Sequence, residues 1–246
     1  MLSGGLVNSP ALLPVDSGVR EARLNVTVPS KTISAAHSST LVSQGSIHPV
    51  TRATISTEYI SLRYDKHCPT GLYITPSMES LLVWDAVLFV HKGYYAGSVF
   101  KFVVTFPDNY PERPPTVCFL TDVFHPLIAT QTGSFNLAAR FRPWRPKEHH
   151  VHDVLHFIKA AFKSTLLDKL SEVDSVNKEA LKLYQYNRPS FAALAQQSSE
   201  FSQSTSALYG LPSSKKNYSF YFAPTTPEVV NSILETLSIH TSSGTK

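Results

Sequence analysis

A chain of 246 residues, 42% hydrophobic and 16% charged, has the material for one well-cored domain with tails, which excludes disorder along its whole length. Its net charge of +4 comes from 22 Lys and Arg against 18 Asp and Glu, and with no run of five basic residues it gives nucleic-acid binding no support. The longest apolar stretch, Leu81 to Val90, contains Asp85 and is far shorter than the ~20 residues that cross a bilayer; with no basic segment leading into an apolar run at the N-terminus, the chain is expected to be cytoplasmic, with Cys68 and Cys118 free.

Residues 1–53 are rich in Ser, Thr and small residues with scattered Pro and hold no period long enough to bury a face, which predicts a disordered arm. Ile55, Tyr59 and Leu62 then fall four and three apart, a short helix closed by Pro69 and Gly71. Four β-rich runs follow: Gly71 to Thr75, Leu81 to Val90, Ser98 to Phe106 and Thr116 to Leu120. In the third, Phe100, Phe102, Val104 and Phe106 alternate with Lys101, Val103 and Thr105, so one face belongs to the core. Short links predict an antiparallel meander.

No period appears between Leu120 and His150, and a loop of that length in a compact domain marks a functional site or the relic of one. Helical spacing returns with Val151, Val154, Leu155, Ile158 and Phe162. A second helix is expected on Val176, Ala180, Leu183 and Tyr184, and a third on Phe191, Leu194, Ser198 and Phe201. Helix, strands, helices is an α+β order, with the domain over residues 54–202. Residues 203–246 read as a Ser-rich linker to Lys216, an extended segment and a short amphipathic helix: Thr226 caps it, Pro227 and Glu228 suit its first turn, and Val229, Val230, Ile233, Leu234 and Leu237 share a stripe.

The stretch Phe106-Pro107-Asp108-Asn109-Tyr110-Pro111-Glu112-Arg113-Pro114-Pro115, followed by Phe124-His125-Pro126, resembles the central signature of ubiquitin-conjugating enzymes. Gly97, Gly133, Trp144-Arg145-Pro146 and Val176-Asn177-Lys178-Glu179-Ala180 extend the likeness in the family's order over about residues 55–200. It implies a four-stranded antiparallel meander backed by helices, with a transfer loop in which the active Cys follows a Gly by three positions. Here Asn136 stands three after Gly133, and Leu127 replaces the Asn that follows His-Pro. A carboxamide cannot form a thioester or become a better nucleophile through a lowered pKa. Leucine offers no donor to an oxyanion, a contribution of ~3–4 kcal/mol where it exists. The loop is also one residue longer than usual. The resemblance therefore implies a chain that is not an enzyme, with His125, Leu127, Gly133 and Asn136 as a vestigial site and no cofactor.

Gly71-Leu72-Tyr73-Ile74-Thr75-Pro76-Ser77, Val99-Phe100-Lys101-Phe102, Val123-Phe124-His125-Pro126-Leu127 and the tail phrase Phe220-Tyr221-Phe222-Ala223-Pro224 are similar to the fused toes family, also called AKT-interacting protein, with the insect crossbronx proteins. That likeness implies an adaptor subunit in a complex with a Hook-type coiled-coil protein and an FHIP-type protein, joining endosomes and vesicles to microtubule transport. Ubiquitin or a kinase is a further candidate partner, and the competing reading on the same fold is a ubiquitin-binding variant that assists chain assembly or endosomal sorting. Of other groups, His149, His152 and His156 share a helical face without Cys or carboxylate at ligand spacing, so no metal is expected. His125 reads as structural and Trp144 as an anchor beneath the loop. Arg140, Arg142, Arg145 and Lys147 read as a solvated basic edge.

Overall fold

The computed structural model describes residues 47–210 and 217–242. The expected arm lies outside them up to residue 46, and the first helix, α1 (Pro49–Ser61), starts inside its predicted span. Proline in the first helical turn fixes the start at no cost in hydrogen bonds, a signal that the apolar spacing from Ile55 onward does not contain. Strands β1 (Leu72–Pro76), β2 (Val83–Phe89), β3 (Val99–Thr105) and β4 (Thr116–Phe119) form one sheet in the order β1-β2-β3-β4, every pair antiparallel, as the meander reading predicts.

Trp84, Ala86, Leu88, Phe100, Phe102 and Val104 lie on the sheet's inner face and are buried in the main core. Helix α2 (Val151–Ala161) lays Val151, Val154, Leu155 and Ile158 into that core. An aromatic knot closes it, with Phe162 within 5.2 Å of Tyr95, Phe100 and the His125 ring, centroid to centroid. Edge-on and tilted rings of this kind add to what their area alone contributes.

The Ala161 and Phe162 end leads into α3 (Ser164–Leu167), whose Leu167 is buried in the core. Helices α4 (Lys178–Tyr186) and α5 (Arg188–Gln203) follow, each started by the side chain of Asn177 or Asn187 accepting a backbone N–H. Two predicted helix-face residues are corrected. Val176 precedes α4 and is exposed, and Phe201 faces solvent, because α5 turns its serines inward: Ser198, Ser199 and Ser202 are buried and bond Phe124 N–H, Ser98 Oγ and Val99 N–H. The Ser-rich linker is also corrected: its start belongs to the end of α5, and α6 (Thr205–Tyr209) follows, capped by Ser204. The last helix, α7 (Pro227–Ser242), begins where the capping signals put it. Among the described residues no helix is long and apolar enough to cross a membrane.

The outer face of the sheet is covered over its two middle strands. Side chains on the outer face, where alternation calls for contact with water, include Asp85, Val87 and Lys101, all buried. Their cover is α6 and the extended segment from Asn217 to Phe222, more than a hundred residues away in sequence.

Candidate functional site

The loop after β4 folds back as a narrow hairpin. Asn136 N–H donates to Leu127 O (2.8 Å), Ile128 bridges Phe135, and Ala129 N–H donates to Ser134 O (2.9 Å). Its outer strand continues the sheet, since Phe135 N–H donates to Val117 O and Phe119 N–H to Gly133 O. Gly133 has φ +71°, and a Cβ there would sit 2.1 Å from Phe119 O, so no other residue fits the turn.

Within this hairpin Asn136 has become a fastener. Its Nδ2 donates to Asp174 O (2.7 Å) and its Oδ1 accepts from Ala138 N–H (3.1 Å), starting the short 3₁₀ turn Leu137–Ala139. Opposite it, Leu127 is fully buried in the core. The preceding carbonyl, Pro126 O, accepts from Val176 N–H, Asn177 N–H and Ser175 Oγ, each at 3.0 Å. The loop from 168 to 177 is thereby sewn to the hairpin, with polar groups facing one another rather than an incoming reactant.

His125 is fully buried, its Nδ1 accepting from Leu127 N–H and its Nε2 donating to Ala161 O. Burial pulls its pKa down to about 4, the Ala161 carbonyl opposing this only in part. It holds the chain's turn toward Leu127 as a neutral ring, the structural role expected from sequence. The thiols are likewise engaged: Cys68 Sγ donates to Leu72 O (3.3 Å), with its pKa raised by burial against the weaker pull of Lys159, and Cys118 Sγ donates to Thr132 O (3.1 Å). A nucleophilic thiol needs the opposite shift.

The histidines in and just before α2 point to different neighbours. His149 accepts Arg145 N–H, His156 bonds Lys66 O, and His152 stacks between His67 and His150. Among the described residues no group of three or more His, Cys, Asp and Glu is placed to hold a metal ion. Trp144 does anchor its loop, donating from Nε1 to Pro111 O (2.8 Å), while Arg140, Arg142, Arg145 and Lys147 stay on the surface.

Sequence reasoning missed Glu58. Its buried carboxylate accepts from Tyr110 hydroxyl (2.9 Å) and Val151 N–H (3.1 Å) and bonds His150 Nδ1 (3.0 Å), so α1 caps α2 and grips the Tyr110-Pro111 turn. A carboxylate at a helix N-terminus meets its orphan N–H groups and positive dipole end. The sequence signal was a lone acid beside Ile55 on α1's inner face.

The predicted partner-binding residues are bare. Val229, Val230, Ile233 and Leu234 are 49, 42, 52 and 57% exposed, and the side chain of Leu237 lies outside the described residues. Every described side chain of α7 is exposed.

The family model described as ubiquitin-conjugating enzyme matches residues 54–199. A protein crossbronx homolog of Anopheles gambiae is 31% identical over 169 residues, 68% of this chain and 73% of that one. Protein crossbronx of Drosophila virilis is 35% identical over 164 residues, 64% and 65% of the two chains. AKT-interacting protein of Danio rerio is 33% identical over 171 residues, 69% of this chain and 56% of its own length.

Proposed function

The chain belongs to the ubiquitin-conjugating enzyme family, among its crossbronx and AKT-interacting members, and we propose that it is a non-catalytic member that works by holding protein partners. Asn136 and Leu127 stand where the resemblance puts the thiol and the oxyanion donor, and their bonds tie the hairpin shut. Burial raises the Cys68 pKa despite Lys159, and the Cys118 thiol is bonded to Thr132 O.

The observation that carries the binding role is the unpartnered apolar stripe of α7, 16 residues long and begun at Pro227. A helix of this length gains most of its stability from packing. Four branched aliphatic side chains at i, i+1, i+4 and i+5 form one face of the kind that docks into a helical groove or pairs with a second helix. We read its partner as a Hook-type coiled coil within a Hook and FHIP assembly, serving cytoplasmic transport of endosomes and vesicles along microtubules; the fused toes resemblance supports this. The name of the zebrafish relative makes a kinase a second candidate partner.

The test is capture of a Hook-type coiled coil by the full chain and by a chain ending at Pro224, which retains the contacts of Tyr218 and Ser219. Loss of capture on truncation is expected, and equal capture overturns the reading. The ubiquitin-binding alternative meets a physical obstacle at the middle of the outer sheet face, where α6 and the tail cover Lys101 and Asp85.

A further inference from the structure

Asp85 lies in the middle of β2, opposite Thr75 and Val103, and is fully buried. A carboxylate in such a place must be met by donors. Ser219 donates to it twice, from its backbone N–H (2.9 Å) and from its hydroxyl (2.6 Å), both to Oδ2. One residue earlier the buried Tyr218 donates its hydroxyl to Ala86 O. The same hydroxyl lies 3.5 Å from Phe102 O on β3, so two consecutive tail residues grip β2 and reach its neighbour.

The neighbouring charge on this face completes the anchorage. Lys101 Nζ donates to Ala207 O and Leu208 O, each at 2.8 Å, and to Gly210 O at 3.2 Å, and it lies 5.5 Å from the centre of the Phe222 ring. The ammonium therefore closes the C-terminal end of α6, where a cation is favoured. Burial draws its pKa below the ordinary lysine range. Residues 217–226 have neither helix nor strand, so side-chain contacts and not a backbone ladder hold them. Segments held in this way open locally at a fraction of the cost of global unfolding. Eight residues after Ser219 the bare helix α7 begins.

We propose that Ser219 is a phosphorylation site and that its bond to Asp85 is the latch of the tail. In the reaction the Ser219 Oγ forms a bond to the γ-phosphorus of ATP, the bond to the β–γ bridging oxygen breaks, ADP leaves and the hydroxyl proton is released. The product has lost the hydroxyl donor, one of the two that Ser219 gives Asp85, and carries ~2 negative charges against a buried carboxylate. Like charges in a poorly solvated site cannot both stay, so the tail leaves the sheet. This inference rests on the proposed role of α7: an anchored tail fixes where the helix emerges, and a released one presents it on a longer tether.

The test uses the full chain, Mg-ATP and a serine kinase that prefers a basic residue three positions before its target, as Lys216 stands before Ser219. Mass spectrometry locates the phosphate, and hydrogen exchange follows residues 217–222 with the α2 amides as the internal control. Phosphate on Ser219 with exchange in the tail accelerated about tenfold or more and α2 unchanged is the expected result. Ser219→Glu should reproduce the acceleration, and Asp85→Asn should blunt it, because a neutral acceptor removes the repulsion. A Ser219 that takes no phosphate overturns the site. A phosphorylated tail that stays protected, for example by turning to Lys101, overturns the latch. Hydrogen exchange needs no partner, so failure of coiled-coil capture would sink the role of α7 and leave this result standing.

Discussion

The hairpin around Asn136 and the helix α7 are opposites. In the hairpin every named polar group has found a bond inside the protein: Asn136 to Asp174 and Ala138, Pro126 O to three donors, His125 to Leu127 and Ala161. In α7 the branched aliphatic side chains have found nothing. A site that must receive a reactant keeps some of its bonding capacity in reserve, whereas a sealed one serves stability. The contrast supports the proposed reading, in which the working surface is α7 and the hairpin serves stability.

Substitutions in the sealed region should be costly. Gly133→Ala puts a methyl group into Phe119 O at a backbone angle alanine dislikes, and a loss of about 4 kcal/mol in urea unfolding is expected. Acid should break the same region. His125 has its folded pKa at about 4, below the ordinary value, so the unfolded chain takes the proton first. Its contribution is complete above about pH 6.5 and is lost as pH falls toward 4, about 3 kcal/mol in all. Unfolding curves across that window should steepen toward acid, and His125→Asn should flatten this part of the dependence. Glu58→Ala leaves Tyr110 and the first N–H of α2 without their acceptor and should lower stability by about 3 kcal/mol. Asn136→Cys gives up two hydrogen bonds and should cost about 1 kcal/mol. It should also form no reductant-sensitive adduct with activating enzyme, ATP and ubiquitin, since Leu127 remains. In α7 the comparison reverses: Ile233→Asp with Leu234→Asp should move the unfolding midpoint by less than about 0.5 kcal/mol.

The sheet was legible because alternation at period two is written into each strand: Phe100, Phe102 and Val104 are buried as their spacing demands. Lys101 was not legible, since its burial depends on three carbonyls more than a hundred positions away. On α5 Ser198 was read on the inner stripe and is buried there, but its neighbours Ser199 and Ser202 were missed for a different reason. Hydroxyls are read as solvent-facing, yet Ser199 and Ser202 bury easily once Ser98 Oγ and Val99 N–H meet them. Helix α6 hid in a Ser-rich stretch because five residues hold too little periodicity to stand out. At the site, the resemblance singled out Leu127 and Asn136, but the bond of Asn136 to Asp174 was not legible, because only the fold brings Asp174 near.

The central claim is that α7, and not the loop, makes the chain useful, and binding of a Hook-type coiled coil to the Ile233→Asp, Leu234→Asp double variant tests it most directly. The account predicts an unfolding curve like that of the parent chain with affinity reduced about a hundredfold or more, as for loss of a central apolar contact. Unchanged affinity in a folded double variant would contradict it.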